Sequence, residues 1–214
     1  MTDWDDLHAR ARARYEDGEA RLPDDPDQRQ RQLTRMGNAA GAAGLSSLMD
    51  GRDGAEWFAR AAERYRESWE HAPPGSWGRP IGAIKSRILA GDWEGAAEDA
   101  RWAIEAGAAE SDSPIGRYAA ALAFGVLGEW GDMRLHADHA RTHEAFPTEV
   151  ADALAFVAAE DVVGYIEAVE DVLESFETRD EYLEDIPVAD TVIVLQALAA
   201  RRGMAATLES DLLP

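Results

Sequence analysis

Apolar residues recur at helical spacing along most of the chain, and short turn signals separate the apolar segments. The clearest pattern follows Asp161, where a continuous apolar stripe that ends near Phe176 predicts one amphipathic helix. The segment after Asp53 carries an aromatic stripe with charged residues opposite, which predicts a helix packed against a core. The apolar segment 187–203 includes a β-branched run at 192–194, but no second strand is available to pair with it, so a helix is favoured.

Two turn segments in the middle of the chain set Gly, an acidic residue and Trp between Ala-rich stretches. The first is GDW at 91–93 and the second is GEWGD at 128–132. Glycine tolerates the left-handed conformation that ends many helices, and we expect Asp92 and Asp132 to cap the helices that follow. Each short joint forces its two helices to run antiparallel, as in an αα-hairpin. The second joint contains two glycines, and the sequence does not decide which of them makes the turn.

These patterns predict an all-α protein of stacked antiparallel helical hairpins, with about nine or ten helices. We expect one helical domain over residues 1–214, with an internal break at 72–80, where Pro and Gly residues interrupt the pattern. Gly37, Gly41 and Gly44 lie in an Ala-rich helical segment. Because glycine allows close contact, we expect them to mark a place where another helix backbone approaches.

The first hairpin is similar to a unit of the tetratricopeptide repeat (TPR). The residues that match the repeat's Gly, Asp, aromatic, Ala, Ala and aliphatic positions are Gly91, Asp92, Trp93, Ala96, Ala103 and Ile104. The resemblance implies a TPR-like stack, in which neighbouring hairpins bury a shared core.

The chain is strongly acidic, with a net charge of −21 from 42 acidic and 21 basic residues. Such a surface repels nucleic-acid phosphates and anionic lipids, so we expect neither nucleic acid nor membrane as a partner. Acidic residues occur in nearly every segment and Lys85 is the sole lysine, which favours a halophilic adaptation to concentrated salt as the cause. Recognition of a basic protein partner is the alternative explanation.

The sequence has no Cys, which excludes disulfides, thiolate metal ligands and Cys nucleophiles. It shows no apolar leader segment and no apolar run of membrane-spanning length, so we expect a cytoplasmic protein. The motifs of phosphate-binding loops and of serine nucleophile elbows are also missing. We therefore expect no catalytic residues, no cofactor and no enzyme activity.

One histidine cluster has metal-ligand spacing. His136, His139 and His143 lie on one side of a predicted helix, and Asp132 is one turn upstream. No second helix supplies an obvious further ligand, and the cluster borders the apolar face. Histidines packed and hydrogen-bonded beside the core are therefore the favoured interpretation, and a metal site is the alternative.

Two features are candidates for binding a partner. Trp102 lies opposite the apolar face of its helix, so it either packs against a neighbouring helix layer or anchors an interface. The acidic connection 177–187 offers a surface for a basic partner, although a solvated loop is the ordinary interpretation of such a charge run. Its candidate residues are Asp180, Glu181, Glu184 and Asp185.

The segment 154–214 resembles the end of the Immunity protein 49 family, which is associated with bacterial polymorphic toxin systems. The shared order is an acidic helix start with an aromatic and aliphatic spacing, a proline-led apolar helix, a glycine and a closing Leu-Pro. The matching residues are Asp161, Tyr165, Ala168, Val169, the helix 187–200, Gly203, Leu213 and Pro214. The resemblance implies a non-enzymatic, all-α immunity protein that neutralises a cognate toxin by direct association. A TPR-like scaffold that binds a peptide or helix, and a metal-dependent enzyme, are the alternatives.

Overall fold

A computed structural model describes residues 2–214, and the regular structure in that range is entirely helical, without a strand. Ten α-helices follow one another, and each of the first nine packs against the next. This confirms the predicted all-α stack of helical hairpins. The helices are α1 (Trp4–Ala20), α2 (Pro26–Met49), α3 (Ala55–Trp69), α4 (Gly78–Leu89), α5 (Trp93–Glu105), α6 (Pro114–Leu127), α7 (Trp130–Arg141), α8 (Thr148–Ala159), α9 (Val162–Glu177) and α10 (Asp190–Ala200), with short 3₁₀ helices at Ala108–Glu110 and Leu183–Asp185.

The even-numbered helices form an inner layer. In addition to its neighbours in sequence, α4 contacts α2 and α6, and α6 contacts α8. The last helix, α10, returns to this layer and packs on α4 and α8 as well as on α9. Its side chains at Val192, Val194, Leu195 and Leu198 are fully buried. This central position explains why its sequence is apolar on nearly every side. No helix in the range 2–214 is long and apolar enough to cross a membrane.

The two Gly-acid-Trp segments are helix joints, as predicted. Gly91 has a φ of 70° and the Asp92 carboxylate accepts a hydrogen bond from the Gly95 backbone N–H at 2.9 Å, so this aspartate caps α5. At the second joint Gly128 makes the turn, with a φ of 78°, and α7 begins two residues later. The prediction that Asp132 caps α7 is wrong, because the helix has already begun and this side chain lies in its first turn.

Two consecutive arginines after α10, Arg201 and Arg202, pack on the tryptophans of the two Gly-acid-Trp joints. The Arg201 guanidinium lies 4.5 Å from the centre of the Trp93 ring and donates a hydrogen bond to the Val126 carbonyl at 2.6 Å. Arg202 repeats this arrangement over Trp130, at 4.5 Å, and donates to two carbonyls at the end of α8 at 2.9 and 2.7 Å. The last carbonyls of a helix have no partner within the helix. A cation placed there satisfies them and also interacts favourably with the helix dipole.

The interruption at 72–80 covers most of the turn between α3 and α4 and the first residues of α4. The helices on either side of it pack against each other, and Trp77 within it is buried in one cluster with Ala119 and Ala120 of α6. The Trp77 ring also lies 5.5 Å from the ring of Trp69 on α3. Through Trp77 the interruption therefore packs against both α3 before it and α6 after it.

The glycines of α2 accommodate aromatic rings of α3 and, at Gly44, also the backbone at the start of α3. A Cβ atom at Gly37 would lie 2.9 Å from the Tyr65 ring, and one at Gly44 would lie 2.7 Å from the Phe58 ring. At Gly41 a Cβ atom would meet nothing within 4 Å. The expected close approach therefore exists at two of the three positions. At Gly37 a side chain of α3 makes it, and at Gly44 the N-cap of α3 also contributes backbone, because a Cβ atom at Gly54 would lie 2.6 Å from the Gly44 carbonyl oxygen.

The contrast between two of these glycines gives a first prediction. Gly41→Ala should raise the free energy of unfolding by about 0.5–1 kcal/mol, because alanine loses less conformational entropy in a helix. Gly37→Ala should lower it by roughly 1 kcal/mol or more, because the Tyr65 ring must move. Urea unfolding monitored by circular dichroism measures both. Shifts of the same sign would contradict the packing described for α2.

Candidate functional site

A cavity of about 450 Å³ lies between α2, α4 and the acidic connection 177–187. Its apolar wall includes Leu45, Ile81 and Phe176, and the first residues of α10 close one side. Cavities of this size, with apolar walls and a few polar groups, are typical of small-molecule sites. The polar groups of the wall come from α2, α3, α4, the acidic connection and the start of α10.

Lys85 joins the cavity wall on α4 to the start of α10. Its ammonium nitrogen lies 2.5 Å from the Asp190 carboxylate and donates a hydrogen bond to the Thr191 hydroxyl at 3.0 Å. Burial acts to lower the pKa of Lys85, but the attraction of Asp190 outweighs it and the pKa is raised. The only lysine of the chain is therefore charged and half-buried, and it links α4 to α10.

Tyr65 crosses from α3 between α2 and α4 to reach the cavity. Its ring fills the space at Gly37 and Gly82, where a Cβ atom would lie 2.9 and 2.6 Å from ring carbons. Its hydroxyl donates to the Asn38 side-chain oxygen at 2.8 Å. Burial raises the pKa of Tyr65 well above its ordinary value, and the nearby Asp190 carboxylate adds to the shift. The cavity wall thus carries a neutral phenol.

Two cavity-lining arginines have no carboxylate within ion-pair distance in the part of the chain that the structure describes. Arg79 donates to the Ser68 hydroxyl at 2.9 Å and to the side-chain oxygen of Gln30. Burial lowers the pKa of Arg79, with no acidic neighbour to oppose it. Arg179 lies 3.6 Å from the centre of the Phe176 ring and donates to a backbone carbonyl at 3.1 Å.

The acidic connection is tied to the fold by one of its four candidate residues. The Glu184 carboxylate lies 2.8 Å from a guanidinium nitrogen of Arg14 on α1, and its side chain is 17% exposed. Asp180, Glu181 and Asp185 are exposed. Glu184 and Asp185 have φ angles of 57° and 61°, in the left-handed region that favours glycine. The connection is held across the cavity, and three of its carboxylates face solvent.

Trp102 packs against the neighbouring helix layer. Its ring meets the Trp69 ring of α3 edge-on at 5.7 Å, and the Arg66 guanidinium lies 4.9 Å from its centre. The side chain is half-buried. Of the two interpretations of this tryptophan, the structure shows the first, a contact within the stack.

The structure does not assemble the predicted metal candidates Asp132, His136, His139 and His143. His136 is buried, stacks on Phe124 at 5.2 Å and lies 3.2 Å from the Arg117 guanidinium, whereas the rings of His139 and His143 stack on each other at 5.6 Å. Within residues 2–214, no group of three or more His, Cys, Asp or Glu side chains could hold a metal ion. The histidine nearest the core points inward, away from the other two.

The sequence interpretation missed an acidic stripe on the outer face of α9. Four exposed carboxylates follow helical spacing there, opposite the buried apolar face, and none has an ion-pair partner in the described chain. Val163, 67% exposed, lies one turn before the stripe, and Leu183, 71% exposed, lies beyond the end of the helix. The spacing of the acidic residues was visible in the sequence. We call this surface the α9 stripe: Glu167, Glu170, Asp171 and Glu174.

A second prediction follows from His136. Burial and the Arg117 charge lower the pKa of His136 below its ordinary value of 6.5. The unfolded chain therefore takes up the proton first, and this histidine makes the protein less stable as the pH falls through 6.5. His136→Gln should reduce the loss of unfolding free energy between pH 7.5 and 5.5, measured by urea unfolding. The exposed His71→Gln is the control, and an equal slope in both variants would refute the assignment.

Comparison of the chain with protein-family models, with curated proteins and with solved structures finds no significant match in any of the three.

Proposed function

We propose that this protein is a non-enzymatic binding protein that neutralises a cognate toxin by direct association. The α9 stripe is the observation that carries the proposal, because it presents four carboxylates without cations of their own. The resemblance of segment 154–214 to the Immunity protein 49 family supports the same role, since α9 lies inside that segment. The role places the protein in the cytoplasm of the cell that it protects.

The stripe is unfavourable for the isolated helix. Glu167, Glu170 and Glu174 are neighbours at spacings of three and four on one face, where like charges repel each other. A partner that brings Arg or Lys side chains to this face relieves the repulsion, and the opposite charges also raise the association rate. The exposed Val163, one turn before the stripe, provides an apolar contact beside it.

The negative net charge of the whole chain has a competing explanation, which is adaptation to concentrated salt. All 42 acidic residues lie within 2–214, and among these described residues Asp99 is the only buried one, so nearly all the carboxylates are at least partly exposed. Solubility in salt accounts for such an overall charge but requires no particular helix. Recognition of a partner requires one. The two explanations therefore differ in whether the position of the charges matters.

The alternative of a TPR-like scaffold with an open peptide groove is less favoured. The inner layer is the face on which such a groove would form, and α10 covers it between α4 and α8. A bound peptide would have to displace a helix that is buried on nearly every side.

The third prediction tests the proposal with a toxin domain encoded beside this gene. Calorimetry at one fixed salt concentration should show direct association. The triple variant Glu167→Lys/Glu170→Lys/Glu174→Lys should weaken it by at least about tenfold, because like charges then face each other.

The matched control is Glu94→Lys/Glu98→Lys/Glu105→Lys on α5, which makes the same change in net charge on exposed, unpaired residues. Its affinity should stay within about threefold of the parent, because those charges lie outside the interface. Equal weakening by both triple variants would show that only overall charge matters. If no neighbouring gene encodes a binding partner, the proposed function is wrong.

A further inference from the structure

The lining of the cavity between α2, α4 and the acidic connection has an excess of cationic side chains, although the chain as a whole is acidic. Three cationic side chains line it, Arg79, Lys85 and Arg179, against two carboxylates, Asp190 and Glu184. The lining is therefore net positive by one charge, in a chain whose net charge is −21. The excess of cationic side chains is therefore confined to the lining of a cavity that is large enough for a small molecule.

The two carboxylates of the lining are already engaged. Asp190 is paired with Lys85 at 2.5 Å, and Glu184 is paired with Arg14 of α1 at 2.8 Å. Arg79 and Arg179 are left with neutral hydrogen-bond acceptors. Arg179 is exposed to water, but Arg79 is half-buried. Charged groups removed from water are normally paired with an opposite charge, because burial without one is costly.

Arg79 is the clearer of the two cations. It is half-buried, and its hydrogen bonds to Ser68 and Gln30 use two of its three side-chain nitrogens. Its planar guanidinium matches the geometry of a carboxylate. An anion in the cavity would supply the missing counter-charge without disturbing either existing ion pair.

The remaining wall is suited to an apolar body. Phe58, Leu89 and Val188 line the cavity, and Gly41 on α2 leaves open space beside it. The volume of about 450 Å³ exceeds what one carboxylate group needs and lies within the usual range for small-molecule sites.

We propose that this cavity binds a small monocarboxylate with an apolar body, with Arg79 as its counter-ion. One negative charge balances the half-buried Arg79, whereas the exposed Arg179 is in contact with water and needs no partner in the cavity. A multiply charged anion would therefore place excess negative charge beside Asp190 and Glu184. The binding site is separate from the α9 stripe and does not depend on the toxin partner.

The fourth prediction uses three probes of similar length and different charge: octanoate, octylamine and octanol. Calorimetry on the full chain at fixed ionic strength should show saturable binding of octanoate and at least about tenfold weaker binding of the other two. Binding of all three with similar affinity would show an unspecific apolar pocket and overturn the proposal. Absence of octanoate binding would overturn it as well.

Two variants with matched controls locate the site. Arg79→Gln should weaken octanoate binding by at least about tenfold, because it removes the counter-ion, whereas the exposed Arg101→Gln should not change it. Gly41→Leu should block the cavity, whereas Gly131→Leu, at a helical glycine with equal open space, should not. Circular dichroism checks the folding of each variant, and Gly41→Leu tests the location by itself if Arg79→Gln does not fold. Unchanged affinity in the cavity variants would refute the location.

Discussion

The attachment of α10 at both of its ends is the interaction on which the rest of the structure depends. At the start of the helix, Asp190 pairs with Lys85 of α4. Beyond its end, Arg201 and Arg202 bind the terminal carbonyls of α6 and α8 and cover Trp93 and Trp130. Three helices of the inner layer are thus tied to one central helix. Its apolar side chains supply the burial, and the charged groups fix its position.

This arrangement decides which surfaces remain for function. A stack of helical hairpins commonly offers its inner face to a partner, but here the chain covers that face with its own last helix. Two features remain, the α9 stripe on the outside and the cavity beside the start of α10. The acidic connection lies between them, since it leaves α9, crosses the cavity and is bound to α1 through Glu184.

Helix content and the hairpin joints were predictable because they depend on local physics. Gly91 and Asp92 show this directly, since a left-handed glycine and a capping carboxylate act within a few residues. The second joint was ambiguous because GEWGD holds two glycines. The structure places the turn at Gly128, where the Glu129 backbone N–H donates to the Phe124 carbonyl at 2.9 Å. The contacts of Trp93 and Trp130 were not predictable, because Arg201 and Arg202, which cover their rings, are distant in sequence.

The candidate sites divide in the same way. The spacing of the α9 stripe can be found in the sequence, because helix periodicity alone puts its residues on one face. The cavity cannot, because it depends on the return of 177–187 across α2 and α4. The glycines of α2 predicted a place of close approach. The sequence did not show that the rings of Tyr65 and Phe58 would occupy the space beside them.

Native-state hydrogen exchange tests most directly whether α10 is integral to the stack. If it is, the buried amides of α10 should exchange with the same opening free energy as those of α6 and α8, in one cooperative unit. Exchange of α10 at a free energy lower by about 2 kcal/mol or more, while α6 and α8 stay protected, would contradict this account.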